Sequence, residues 1–118
     1  MIISFGWATE PLLAGKKTVT RRIWSNRTLT SWQHAWDRGH KQHDAYDKLP
    51  CWGGEKLGTI TLTVRPYRSK LRDMFPGDLA KEGGLWDTVD EFCQQFYDRG
   101  YKPDQEVAVV RFEFTPDP

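Results

Sequence analysis

Cysteine is scarce: two in 118 residues, Cys51 and Cys93, far apart in the chain. That excludes a disulfide-stapled scaffold and a CxxC metal site. Long apolar runs are missing too, and none nears the roughly 18 residues that a bilayer-spanning helix needs. The start, Met1-Ile2-Ile3-Ser4-Phe5, has neither the basic lead nor the long apolar stretch of a signal peptide, so the expectation is a cytoplasmic chain with no membrane partner. Phosphate loops of the GxGxxG or Walker type are absent, and Gly53-Gly54 and Gly83-Gly84 are ordinary turn signals. Histidine is sparse, at three. His40 and His43 with Cys51 offer three possible zinc ligands, without a recognised spacing or a clear fourth. The residues therefore point to no metal and no cofactor.

What is present is a globular composition, 38% hydrophobic and 28% charged, which at this length predicts one domain with a modest core. The formal net charge of +1 hides an asymmetry. Residues 1–72 carry 13 Lys and Arg against 5 Asp and Glu, a balance of +8; residues 73–118 carry 4 against 11, a balance of −7. Such a split either gives one face a positive potential that draws phosphate, or lets the two parts of the chain pair across the fold. Both readings stay open.

Residues 1–5 suit a buried first strand. Thr9, Glu10 and Pro11 read as a helix start with Thr9 as cap, and Leu12-Leu13-Ala14 as its single turn. Gly15 sits where a left-handed stop is easiest. Residues 18–24 are β-rich and predict an extended segment. The stretch 25–44 is least legible: Ser25-Asn26-Arg27 reads as a turn, Trp32 to Trp36 as a short helix or ordered loop, and 39–43 as polar loop. A strand is expected from about Asp44 to Leu49-Pro50, then a turn at 51–54. Residues 56–65 form the clearest strand, Ile60, Leu62 and Val64 alternating with Thr59, Thr61 and Thr63. A short segment follows at 79–84. The clearest helix begins at the Thr88…Glu91 capping box, with Val89, Phe92, Cys93 and Phe96 on one face and Gly100 as its stop. The acidic Asp87, Asp90 and Glu91 complement its dipole, and Cys93 reads as core packing. A last strand covers 107–114, with Ala108, Val110, Phe112 and Phe114 opposite Arg111 and Glu113. These elements make an α+β chain, a mixed sheet or small barrel with two or three short helices.

The basic segment 15–22 is the working feature. Its pattern Gly-x-Lys-x-x-Thr-x-Arg, here Gly15, Lys17, Thr20 and Arg22, preceded by Ile3-Ser4-Phe5-Gly6-Trp7 and Leu12-Leu13-Ala14, resembles the activating-signal-cointegrator homology (ASCH) family. The resemblance implies a small PUA-like mixed β-barrel with short covering helices, and RNA-related work as a binding module or a small hydrolase. Members of similar size include an amidohydrolase that removes the acetyl group of 4-acetylcytidine. Carried over by motif position, Lys17 and Thr20 would be catalytic, with Glu82 as the matching glutamate. Departures from the pattern, namely Arg21 beside the motif arginine, the many tryptophans and the long 25–44 insertion, fit a subgroup with another substrate.

The chemistry those residue types allow is consistent with this. A threonine hydroxyl becomes a nucleophile once a base removes its proton, and a lysine acts as that base if burial or neighbouring cations such as Lys16, Arg21 and Arg22 lower its pKa. Arg22 would steady oxyanion charge or the pyrimidine. On a regular strand Lys17 and Thr20 would face opposite sides, so the mechanism requires an irregularity there. The first reading, to which that hydrolase is the alternative, is binding without chemistry: Gly15, Lys16, Arg21, Arg22, Trp24, Arg27 and Trp36 as a site for single-stranded RNA or a modified nucleoside, with Trp32 adding to the stacking platform. A metal-independent ribonuclease using His34, His40 and His43 beside Lys41 and Asp44 is the further alternative.

Overall fold

The computed structural model describes residues 1–118. Six strands alternate with four short helices: β1 (Ile2–Ser4), α1 (Thr9–Leu13), β2 (Val19–Arg22), α2 (Asn26–Asp37), β3 (Gln42–Tyr46), β4 (Lys56–Leu62), β5 (Tyr67–Lys70), α3 (Asp78–Lys81), α4 (Val89–Tyr97) and β6 (Glu106–Pro116). Along the sheet the order is β1-β3-β4-β6-β2, and β5 also pairs with β6. Only the β1–β3 pair is parallel, with Ile3 opposite Ala45; the others are antiparallel. The sheet curls into a half-barrel whose outermost strands are β1 and β2, so the seam lies between them. This is the α+β mixed barrel that the sequence predicts.

β6 organises the whole. Its C-terminal half pairs with β4, Ile60 opposite Phe114. Its N-terminal half is held between β5, Tyr67 opposite Val109, and β2, Thr20 opposite Val110. Val107, Ala108, Val109 and Val110 are all buried, because both faces of the strand are covered. Val110 and Phe112 face one core with Ile3, Phe5, Leu12, Trp32, Ile60 and Leu62. Val107 and Val109 face a second core with Val19, Leu71, Met74, Phe92, Cys93 and Phe96. An apolar run covered on both sides is the mark of a central strand; the one-faced reading of 107–114 missed the second core.

Local signals explain most boundaries. The Thr88 hydroxyl accepts from Glu91 N at 3.1 Å and Glu91 Oε2 accepts from Asp87 N at 3.1 Å, which fixes the start of α4. Phe92 and Phe96 on its inner face each contribute about 2 kcal/mol of apolar transfer.

Four expectations need correction. Residues 25–27 are no free turn: Ser25 caps α2 by accepting from Thr28 N at 3.2 Å, and the helix runs 12 residues because Leu29, Trp32 and Ala35 bury one stripe. Thr9 does not cap α1; its hydroxyl donates to Gly6 O at 2.6 Å, bracing a 3₁₀ turn over Gly6–Ala8. The polar stretch 39–43 contains the start of β3, whose inward positions His43 and Ala45 are buried. The strand expected over 56–65 stops at Leu62, leaving Val64 exposed, since the chain turns through Pro66 to lay β5 further along the same edge of β6.

Candidate functional site

The seam between β1 and β2 is a cleft. It holds about 830 Å³ and is lined by residues 4–8, by Lys17, by residues 20–24 of and beyond β2, by Glu82, and by the α4 side through Phe92, Gln95, Phe96, Arg99 and Tyr101. The turn that delivers Lys17 is set by backbone bonds. Gly15 has φ 73°, a conformation side-chain-bearing residues rarely adopt. Lys16 N and Lys17 N both donate to Pro11 O, at 2.9 and 3.2 Å, and Thr18 N donates to Lys81 O at 2.8 Å. Residues 15–18 are thereby strapped between α1 and α3. Lys17 precedes β2 and escapes its alternation, which supplies the irregularity the sequence demanded: Lys17 and Thr20 line the same cleft.

The floor is a buried charge network. Lys17 Nζ donates to Glu82 Oε1 at 2.9 Å and to Glu82 O at 3.1 Å. Arg21 donates to Glu82 Oε2 at 2.7 Å and to Asp78 Oδ2 at 2.6 Å. Arg111 closes the set with a two-pronged bond to Asp78, at 2.9 and 2.7 Å. Asp78 and Glu82 stand four residues apart around the single turn of α3, so one face presents both carboxylates to Arg21. Lys17, Arg21, Asp78 and Glu82 are all buried. The buried pairs Lys17–Glu82 and Arg21–Asp78/Glu82 each join the basic early part of the chain to the acidic late part, so a small share of the charge asymmetry is met by pairing across the fold.

Electrostatics follow from burial. Loss of water lowers the Lys17 pKa below its ordinary value, against the opposing pull of Glu82, with smaller downward pushes from Arg22 and Arg21. Burial likewise brings Arg22 down to about 10, Glu82 opposing. Burial would raise Asp78, but hydrogen bonds from Arg111 and Arg21 more than reverse it and hold it at about 2. Arg22 Nε donates to Thr20 Oγ1 at 3.0 Å and its terminal nitrogen to Ser4 O at 2.6 Å, crossing the seam from β2 to β1.

Of the residues singled out from the sequence, Lys17, Thr20, Arg21, Arg22, Trp24 and Glu82 come together here. Gly15 shapes the turn without lining the cleft. Lys16 borders a smaller groove with Trp7, Glu10, Pro11 and Leu85. Arg27 is exposed on the first turn of α2 and lies outside the cleft. Trp36 packs against the first core, its outer face covered by Lys41 at 4.4 Å, and Trp32 is buried in that core; neither is a free stacking surface. Residues that sequence reasoning missed are Asp78, Arg111 and Arg99; Trp7 stood only in the flank of the motif. Only Asp78 carried a signal, its i, i+4 spacing to Glu82.

Two of the three histidines meet edge-on, His40 and His43, with ring centres 4.9 Å apart. His34 and His40 are exposed, while His43 is 2% exposed and packed on Trp32 with ring centres 4.3 Å apart. No three His, Cys, Asp or Glu side chains gather in a metal-binding group, and both carboxylates of the cleft floor are already taken by cations.

No family model matches this chain, and no curated protein sequence does. Its half-barrel sheet with short covering helices nonetheless has an ASCH-like fold, a small α+β barrel. An ASCH domain from Lactobacillus crispatus JV V101 superposes with a TM-score of 0.63 at 12% identity, covering 98% of this chain and 79% of that one. A protein of Enterococcus faecalis V583 assigned to the DUF984 family superposes with a TM-score of 0.60 at 14% identity, covering 94% and 71%. At these identities the likeness is one of fold. No helix of the chain is long and apolar enough to cross a membrane.

Proposed function

We propose that the seam cleft binds one nucleoside unit, free or in single-stranded RNA, recognising its base at the Lys17–Glu82–Arg21 floor. The observation that carries this is the pairing of a cleft roomy enough for a whole nucleoside with a floor of fixed donors and acceptors between aromatic walls, Phe5, Trp7, Trp24 and Phe92 among them. Pockets of about 300–1,000 Å³ suit small ligands, and RNA readers take unstacked bases against aromatic rings. Each Glu82 oxygen accepts one protein hydrogen bond and keeps a lone pair for a donor such as an exocyclic amine. The unpaired cysteines, exposed Cys51 and buried Cys93, suit a reducing cytoplasm.

The test is titration of the four ribonucleosides and 4-acetylcytidine, read by tryptophan fluorescence and calorimetry. Saturable binding to at least one is expected, weakened at least tenfold by Arg22→Ala. Absence of binding across the set, and to a short oligoribonucleotide, overturns the proposal.

A second reading, amide hydrolysis of an acylated exocyclic amine, is favoured by the convergence of Lys17, Thr20 and Glu82 on one cleft. The Thr20 oxygen would attack the acyl carbon while its proton passes to the neutral amine of Lys17, whose lowered pKa enlarges that form. Arg22 Nε, already on Thr20 Oγ1, stabilises the oxygen as it loses its proton. Collapse of the adduct expels the amine, which takes the proton from Lys17, and water then releases acetate from the threonine ester. With 4-acetylcytidine as substrate, cytidine and acetate should form, and Lys17→Met and Thr20→Val should each abolish turnover. Turnover that survives both variants rejects this trio.

A further inference from the structure

The charges lining the cleft do not balance: Lys17, Arg21, Arg22 and Arg99 face a single carboxylate, Glu82. Lys17 and Arg21 are ion-paired, but no carboxylate lies within ion-pair distance of Arg22 or Arg99. Arg22 is largely occupied by Thr20 and Ser4 O. Arg99 is different. It follows the C-terminal end of α4 and is solvent-exposed. Its guanidinium lies over the Phe96 ring, 4.8 Å from the centre, and 5.8 Å from that of Tyr101. Its one protein hydrogen bond is long, Nε to Gln95 O at 3.4 Å.

A guanidinium stacked on aromatic rings keeps its in-plane donors free while its position is fixed, which lowers the entropy cost of meeting an anion. Arginine's two-pronged donors match phosphate oxygens. An uncharged nucleoside would leave this cation, and the cleft's surplus of positive charge, without a partner. Resting on the nucleoside-binding reading above, we propose that the ligand is a nucleotide unit whose phosphate is held by Arg99 on the α4 wall of the cleft. Either a free mononucleotide or a residue within an RNA chain would present that phosphate.

The experiment compares affinities of the four ribonucleosides, their 5′- and 3′-monophosphates and the matching hexaribonucleotides, at low and raised salt. The wild-type chain should bind the phosphorylated forms at least tenfold tighter than the nucleoside, and added salt should narrow that gap. Preference for a monophosphate identifies a free nucleotide; preference confined to the hexamers identifies RNA; both support the phosphate seat. In Arg99→Gln the ratio of nucleotide to nucleoside affinity should fall close to one, and Arg99→Lys should keep part of it. If Arg99 merely covers Phe96, both affinities drop together and the ratio is unchanged, which overturns the proposal. Equal wild-type affinity for nucleoside and nucleotide overturns it too, and leaves nucleoside binding standing. No binding by any probe removes both.

Discussion

Glu82 is the residue on which the cleft floor turns, because it is the shared counter-ion of two buried cations, Lys17 and Arg21. A buried ion pair adds little net stability compared with well-packed apolar groups, but removing one member strands the other. Glu82→Gln is therefore expected to cost about 3 kcal/mol in urea unfolding, as Lys17 loses its one charge partner and Arg21 is left with Asp78 alone. Lys17→Met should cost only about 1–2 kcal/mol, since Glu82 keeps its bond to Arg21. Equal costs would show that the network is not arranged around the glutamate. If Arg21 is lost, each carboxylate keeps one cation, Glu82 its Lys17 and Asp78 its Arg111.

At the scale of elements, the cleft depends on short pieces held by few bonds. Ser25→Ala removes the hydroxyl that starts α2 and should cost about 1 kcal/mol by the same unfolding measurement. Two glycines test the backbone differently. Gly15 sits at positive φ with open space around it, so Gly15→Ala carries backbone strain alone, about 1 kcal/mol. At Gly58 a side chain would run into Thr115 O across the β4–β6 pair; Gly58→Ala must push those strands apart and should be the more damaging of the two. Should the alanine at 58 prove the milder, the close approach of β4 to β6 is not what excludes a side chain. The capping box of α4 was legible in the sequence because its signal is local, four residues with fixed roles. α2 was not, because Ser25-Asn26-Arg27 reads as a turn, and only the burial of Leu29, Trp32 and Ala35 decides for the helix.

For the whole molecule, acid is the expected weakness. His43 is closed in the first core's edge, its Nδ1 meeting the chain's amino group at 2.9 Å and its Nε2 left without a partner. Burial, then the positive amino group and His40, lower its pKa from 6.5 to about 4, Asp44 opposing. Between those two values the unfolded chain binds a proton that the folded chain refuses, so stability falls as pH drops from about 6.5 to about 4, by at most about 3 kcal/mol. Asp78 then adds to the loss as pH falls from its unfolded value toward about 2. Chemical denaturation from pH 7 to pH 4 should show this slope, and His43→Phe should flatten it; a slope indifferent to that change would place the acid sensitivity elsewhere. The sequence by itself determined the strands with clear alternation, the capped helix, and the motif from Gly15 to Arg22, because periodicity, caps and turn glycines act over a few neighbouring residues. Tertiary structure alone decided that β6 is covered on both faces, that His43 is buried while His40 is not, and that Trp36 packs inward. It also decided the partnership of Lys17 and Arg21 with Asp78 and Glu82, residues some sixty positions later in the chain. Pairing at that distance depends on which strands lie side by side and on where the sheet leaves its seam, and no local pattern of residues encodes either.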